Sequence, residues 1–197
     1  GNDTAVKLTK DITYVDPQNN TVAYAITVSS GKHTVDFNGK TMRFTVGGST
    51  GGANSYPFLF KENTEIPFPD KSGGKGSLYM EAAWEMGNGA AICSQHGKVT
   101  VENISVETAG SHRTRFLETY SSETVIRNCE INAAGYACYL IGGTAVITGC
   151  EITSCGDRAI YADGGSVTID GGSYRNLATD TNILGKTIET KKTSLTI

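Results

Sequence analysis

The chain has 197 residues, a net charge of −3, 24 glycines, only four prolines and a hydrophobic fraction of 38%. That fraction is enough for one continuous core in a single domain. Charge without a long run of either sign gives no reason to expect nucleic acid as a partner, and no stretch approaches the roughly 18 apolar residues that cross a bilayer.

From the N-terminus, residues 1–24 are expected to form a first strand or an N-terminal cap. They carry no secretory leader, and Gly1-Asn2-Asp3 suggests a segment of a longer multidomain chain. Residues 25–46 share the pattern of the repeats described below. Residues 47–89 break it with Gly47-Gly48, Gly51-Gly52 and Gly73-Gly74 around Tyr56, Phe58, Phe60, Phe68, Tyr79 and Trp84. So long an excursion is either functional or structured in its own right; an irregular insertion is the expectation. Within it, Met80 to Met86 suggests a short helical turn. The tail from Ile188 to Ile197 is expected to be a last strand or the start of a continuation.

Residues 90–176 are the regular part. A phrase recurs at Val99–Val106, Thr124–Ile131, Ala145–Ile152 and Val167–Tyr174, with 25, 21 and 22 residues between Val101, Ile126, Ile147 and Ile169. A fixed period marks stacked repeats. Inside each copy, apolar and polar residues alternate as in a strand until Asn103, Asn128, Gly149 or Gly171, where one extra residue shifts the alternation. Asn and Gly tolerate left-handed backbone angles, so the chain is expected to bend there. Ile92, Leu117, Cys138 and Ile160 precede the copies by a constant nine residues and mark a third strand. Three strands in about 22 residues predict a parallel β-helix. Its inward stacks are Ile92/Leu117/Cys138/Ile160, Val101/Ile126/Ile147/Ile169 and Ile104/Cys129/Cys150/Gly172.

Val125–Ile131 and Val99–Val106 resemble the coil signature of the right-handed parallel β-helix proteins of the pectin-lyase-like superfamily. In that superfamily an Asn stack occupies the equivalent bend. Val35–Met42, preceded by Ala25–Gly31, is similar to the opening coil of bacterial surface β-helix proteins of adhesin type. The resemblance implies an all-β, single-stranded right-handed β-solenoid in an extracellular or cell-surface setting. It says little about activity, because the superfamily holds lyases, hydrolases, adhesins and inert stalks.

The five cysteines match no paired Cys-x-x-Cys zinc pattern. Cys129, Cys138 and Cys150 take inward positions and are expected to act as small buried hydrophobes. A Cys129–Cys150 bridge between neighbouring coils is the alternative.

In the superfamily's enzymes the active face is the exterior of the first strand. Carried over, that column is Cys93, Glu118, Tyr139 and Tyr161, with Arg115 and Arg158 just upstream. With Trp84 from the excursion, these residues form a candidate platform for a polysaccharide or a host-surface glycan, through stacking and hydroxyl recognition. The competing expectation is that the tyrosines only pack on one another across the ladder. Catalysis has weaker support. Glu130 and Glu151 fall short of the six to eight oxygens of a calcium site, which only the lyase alternative would require. Repulsion between them is expected to be relieved by solvent or Arg127, and Glu102 is expected to pair with Arg127. The hydrolases' Gly-His-Gly and Arg-x-Lys motifs are missing. Glu118 with Asp163 is the best glycosidase-like carboxylate pair, and His33, His96 and His112 share no spacing with a nucleophile. The reading is therefore a non-catalytic glycan-binding or adhesive module, with a polysaccharide lyase or glycoside hydrolase and a ligand-free structural spacer as rivals.

Overall fold

The computed structural model describes residues 3–15, 25–46, 55–82, 89–110, 114–178 and 186–197. The elements among them are strands, which the chain lays in turn on three parallel sheets, as expected for a right-handed parallel β-helix. Sheet 1 runs Thr4–Lys7, Gly31–Asp36, Thr64–Pro69, Lys98–Glu102, Glu123–Arg127, Thr144–Thr148, Ser166–Asp170 and Ser194–Thr196. Sheet 2 runs Ile12–Val15, Thr41–Val46, Gly76–Ala82, Ile104–Ala109, Glu130–Ala133, Glu151–Ser154 and Ser173–Asn176. Sheet 3 runs Ile26–Val28, Phe58–Phe60, Gly89–Gln95, Thr114–Tyr120, Cys138–Ile141, Ile160–Asp163 and Ile188–Lys191.

Two corners of the regular coils depend on left-handed residues. Between sheets 1 and 2, Asn103, Asn128, Gly149 and Gly171 have φ of 58°, 52°, 59° and 65°, as the broken alternation predicts. The Asn128 side-chain amide donates to Asn103 Oδ1 at 3.4 Å, tying consecutive bends. Between sheets 3 and 1 a second left-handed column, unforeseen from the repeats, runs through Asn63, His96, Ser121, Gly142, Gly164 and Lys192. The third corner, from sheet 2 to sheet 3, has no recurrent left-handed column among its described residues, Gly110 at φ 104° standing alone, and carries the larger length variation.

Ladder register places the three expected stacks where the spacing put them. Leu117 pairs with Ile92 and Cys138, Ile126 with Val101 and Ile147, and Glu130 with Glu151, which sets Cys129 beside Cys150. Cys93, Cys129, Cys138 and Cys150 are buried free thiols, while Cys155 is exposed and also free. Burial of this apolar column, at roughly 25 cal/mol per Å², holds the coils together.

Residues 47–89 correct the expectation of an irregular insertion. Phe58–Phe60, Thr64–Pro69 and Gly76–Ala82 add a full coil, one strand to each sheet. Two causes hid it. Phe58 pairs with Ile92, so this coil is 34 residues long rather than 22, and Pro67 and Pro69 interrupt the strand pattern. Phe58, Phe60 and Phe68 point inward and pack edge-on or tilted at 5.2–6.0 Å between ring centroids. Three of the six aromatics of the excursion are therefore core. Met80 to Ala82 ends a strand rather than opening a helical turn; the rest of that segment lies outside the described residues. Thr4–Lys7 and Ile12–Val15 are first strands, and the tail supplies the last strands of sheets 3 and 1.

Not every inward position is apolar: Ser94 and Thr119 share a column with Leu140, and Thr124 is a further case. Thr124 lies between Val99 and Ala145, is 1% exposed, and its hydroxyl has no partner in the described structure. Valine keeps the shape and removes the orphan hydroxyl, so Thr124→Val is expected to raise stability by about 1 kcal/mol, read as a higher denaturation midpoint.

Candidate functional site: the outer face of sheet 3

Where the chain enters sheet 3, two consecutive residues turn inward: Ala91-Ile92, Phe116-Leu117, Ala137-Cys138 and Ala159-Ile160 all belong to the core. This doubled inward step sends both flanking positions outward. The first outward column is Ala90, Arg115, Tyr136 and Arg158. The second is Leu59, Cys93, Glu118, Tyr139, Tyr161 and Glu189, and the third is Gln95, Tyr120, Ile141, Asp163 and Lys191. Tyrosines at adjacent rungs lie one strand spacing apart, about 4.8 Å, which suits ring stacking.

The face divides into two halves. In the first, Glu118 is 1% and Arg115 7% exposed. Arg115 Nη1 donates to Glu118 Oε2 at 2.6 Å, and the hydroxyls of Tyr120 and, at 3.4 Å, Tyr56 donate to the other carboxylate oxygen. Tyr56, Leu59, Ala90 and Cys93 form a small apolar cluster beside them, with Tyr120 against it. Burial raises the Tyr56 and Tyr120 hydroxyls well above the ordinary phenol range, and Glu118 raises them further through its charge and, for Tyr120, its hydrogen bond. The Cys93 thiol is pushed up to about 12 by burial and then by the Glu118 charge, with Arg115 acting in the opposite direction. Groups held this far in their neutral forms are neither nucleophiles nor proton-abstracting bases near neutral pH.

In the second half, the Tyr139 and Tyr161 rings stack at 4.9 Å with 13° between planes, and Tyr136 meets them edge-on at 5.2 and 6.0 Å. The Arg115 guanidinium lies 4.0 Å over the Tyr139 ring, and the Lys191 ammonium 5.2 Å from the Tyr161 ring. The ring faces are thus taken up in one ladder, Arg115–Tyr139–Tyr161–Lys191, with cation–π contacts at both ends. What remains turned outward is ring edges and hydroxyls. Arg158 pairs with Asp157, with Glu189 at 2.7 Å, and donates to the Tyr136 hydroxyl at 3.4 Å; Lys186 adds a second cation to Glu189 at 3.2 Å.

Of the residues singled out from the sequence, Glu118, Tyr139 and Tyr161 share one column. Arg115 joins them through both Glu118 and the Tyr139 ring, and Arg158 reaches them through Tyr136. Trp84 lies outside the described residues. Sequence reasoning missed Tyr56, Tyr120, Tyr136, Glu189 and Lys191. Tyr120 and Lys191 follow Glu118 and Glu189 by two residues, so strand alternation would have found them. Tyr136 precedes Tyr139 by the same interval as Arg115 precedes Glu118. Tyr56 has no such signal, being 62 residues from Glu118.

The other candidate groups do not converge. Glu118 and Asp163 are two rungs apart in neighbouring columns, and the buried Glu118 carboxylate is taken up by Arg115, Tyr56 and Tyr120 rather than facing Asp163 across an open site. Glu130 and Glu151 are in register; of the expected relief by solvent or Arg127, Arg127 pairs instead with Glu102 at 2.9 Å, while the half-exposed Glu130 has Lys75 at 3.8 Å. Among the described residues no group of three or more His, Cys, Asp or Glu is arranged to hold a metal ion. His33 is engaged by Thr4 and the Ser30 carbonyl, His96 is a left-handed turn residue, and His112 lies outside the described residues. No family model, curated protein sequence or solved structure matches this chain.

Proposed function

We propose that the chain is a non-catalytic structural module of an extracellular or cell-surface protein, a stiff β-helical spacer akin to the stalk-like members of the pectin-lyase-like superfamily. The observation that carries this reading is the closure of the sheet 3 face. Its carboxylate is buried and bonded by three donors, its tyrosine faces are covered by one another and by two cations, and its phenols and thiol are held neutral. Such a cluster fastens successive coils together. It is not primed to abstract a sugar proton or attack an anomeric carbon.

A second reading, glycan binding at the same face, is favoured by one feature. Tyr136 and Tyr139 are half-buried, Arg158 donates to the Tyr136 hydroxyl, and Asp163 and Lys191 flank Tyr161, whose ring stacks on Tyr139. Recognition would use hydroxyl edges and flanking charges rather than ring stacking. The two readings part on a glycan array probed with the 197-residue chain and with Tyr136→Phe and Tyr139→Phe, which keep the rings. The spacer reading expects no retained glycan. A glycan retained by the parent and lost by either variant would replace it with the binding reading. Incubation with acidic polysaccharides, with and without calcium, should give no rise in unsaturated-product absorbance; a rise would restore the lyase alternative.

A further inference from the structure

We infer that Cys129 and Cys150 are a dithiol pair that closes into a disulfide between consecutive coils when the chain folds in an oxidising setting. Both follow the left-handed bend residues Asn128 and Gly149, in the short corner between a sheet 1 strand and a sheet 2 strand. Register makes them direct neighbours. Glu130 pairs with Glu151, and the Glu151 amide donates to the Cys129 carbonyl at 2.9 Å. Both side chains turn into the core and are 2% and 0% exposed. Their thiols take matching positions, with Cys129 Sγ 3.2 Å from the Arg127 carbonyl oxygen and Cys150 Sγ 3.3 Å from that of Thr148. Arg127 and Thr148 are themselves ladder partners, so the two sulfurs stand one above the other. The thiols also perturb each other: hydrogen bonding between them brings Cys150 down to about 7 and raises Cys129.

The other cysteines have no such neighbour. Cys138 lies between Leu117 and Ile160 in sheet 3, Cys93 belongs to the Tyr56 cluster on the outer side of that sheet, and Cys155 is exposed. Neighbouring strands are about 4.8 Å apart, inside the roughly 4.4–6.8 Å between Cα atoms that a disulfide spans. Its Cβ atoms approach to about 4.5 Å or less, so the two corners must draw together slightly. They are placed to do so. Both cysteines lie outside the strands, and the next member of their stack, Gly172, has no side chain to resist the movement. The oxidant is a low-molecular-weight disulfide met before the coils dock, because the docked thiols are shielded from solvent. One cysteine thiolate attacks it, expels one small thiolate and leaves a mixed disulfide. Docking brings the second cysteine against the first, and its thiolate attacks the protein sulfur and expels the other small thiolate. Two cysteine thiols are thereby oxidised, their protons are released to solvent, and the small disulfide is reduced to two thiolates. The inference holds for a spacer and for a glycan-binding module alike, since it rests on these thiols and not on the face of sheet 3.

Refolding of the 197-residue chain in mixtures of reduced and oxidised glutathione, followed by alkylation and peptide mapping by mass spectrometry, tests this. Cleavage after Glu130 and Glu151 separates the two cysteines, and fragmentation distinguishes Cys150 from Cys138 on the same peptide. The oxidising mixture should give a linked peptide joining Cys129 to Cys150 that disappears on full reduction. Closing a loop of one coil should also raise the melting temperature of the oxidised chain by roughly 5–10 °C over the reduced chain. Cys129→Ser should abolish both the linked peptide and the shift, whereas Cys155→Ser should keep both. The mapping is made on the parent chain, so the result does not depend on a core variant folding. Absence of the linked peptide overturns the inference. So does a bond from Cys150 to Cys138 in its place, or a linked chain that melts with the reduced one.

Discussion

Glu118→Ala is expected to cost about 3–5 kcal/mol, because it leaves the buried Arg115 guanidinium without its carboxylate in a site that water scarcely reaches. For a chain of this size that corresponds to a fall in melting temperature of roughly 6–20 °C. The loss is not the worth of the ion pair itself. Most of it is the penalty of an uncompensated charge and of two phenol hydroxyls, Tyr56 and Tyr120, deprived of their acceptor. Replacing both members of the pair, as in Arg115→Met with Glu118→Met, should therefore cost much less than Glu118→Ala alone, and a double-mutant cycle should return a large favourable coupling. If Glu118→Ala melts within about 1 kcal/mol of the parent, the cluster is not a fastening between coils, and the argument for a spacer loses its main support.

The buried character of this pair marks the limit of what the residues disclosed. Repeat spacing located Glu118, Tyr139 and Tyr161 in one outward column, and the ladder has that register. Alternation assigns a side chain to a face, however, and does not say whether the face is wet. Glu118 counts as exterior by pattern and is 1% exposed, because Tyr56 reaches it from 62 residues away and Arg115 folds over it from the corner. Contacts of that separation leave no period to detect. The coil containing Phe58, Phe68 and Leu78 was illegible for a different reason. Its strands keep their inward residues, but longer connections stretch the period to 34 and two prolines sit in its sheet 1 strand. By contrast, Asn103, Asn128, Gly149 and Gly171 were readable because the left-handed region excludes most other residues at low cost.

The second corner shows how the same steric rule can be hidden. At the turn from sheet 3 to sheet 1, the left-handed position is held by Asn63, His96, Ser121, Gly142, Gly164 and Lys192. Six residues of five types give no shared letter to align. In two successive coils the next residue is also a left-handed glycine, Gly143 at φ 73° and Gly165 at φ 75°. These two are stacked on the backbone of the coil before. A Cβ on Gly165 would lie 2.1 Å from the Gly143 carbonyl oxygen, and one on Gly143 would lie 2.2 Å from that of Ser122.

Gly165→Ala is accordingly expected to be among the most damaging single substitutions in the chain. The left-handed conformation costs an alanine about 1–2 kcal/mol wherever it occurs. Here the obstructing atoms are backbone, and they belong to a ladder in which the Ser166 amide donates to the Gly143 carbonyl at 3.0 Å. Relief of the clash must therefore pull two coils apart and break that bond, adding roughly 1–3 kcal/mol for groups left unpaired. Gly171→Ala separates the two contributions. Gly171 has a similar φ of 65°, yet a Cβ there would meet nothing within 4 Å. It should show the conformational cost alone. Chemical denaturation of the two variants should place Gly165→Ala at least about 1 kcal/mol below Gly171→Ala, the smallest cost of the broken bond. Equal losses would mean that the turn relaxes freely, and that coil spacing at this corner is set by side-chain packing rather than by contact between backbones.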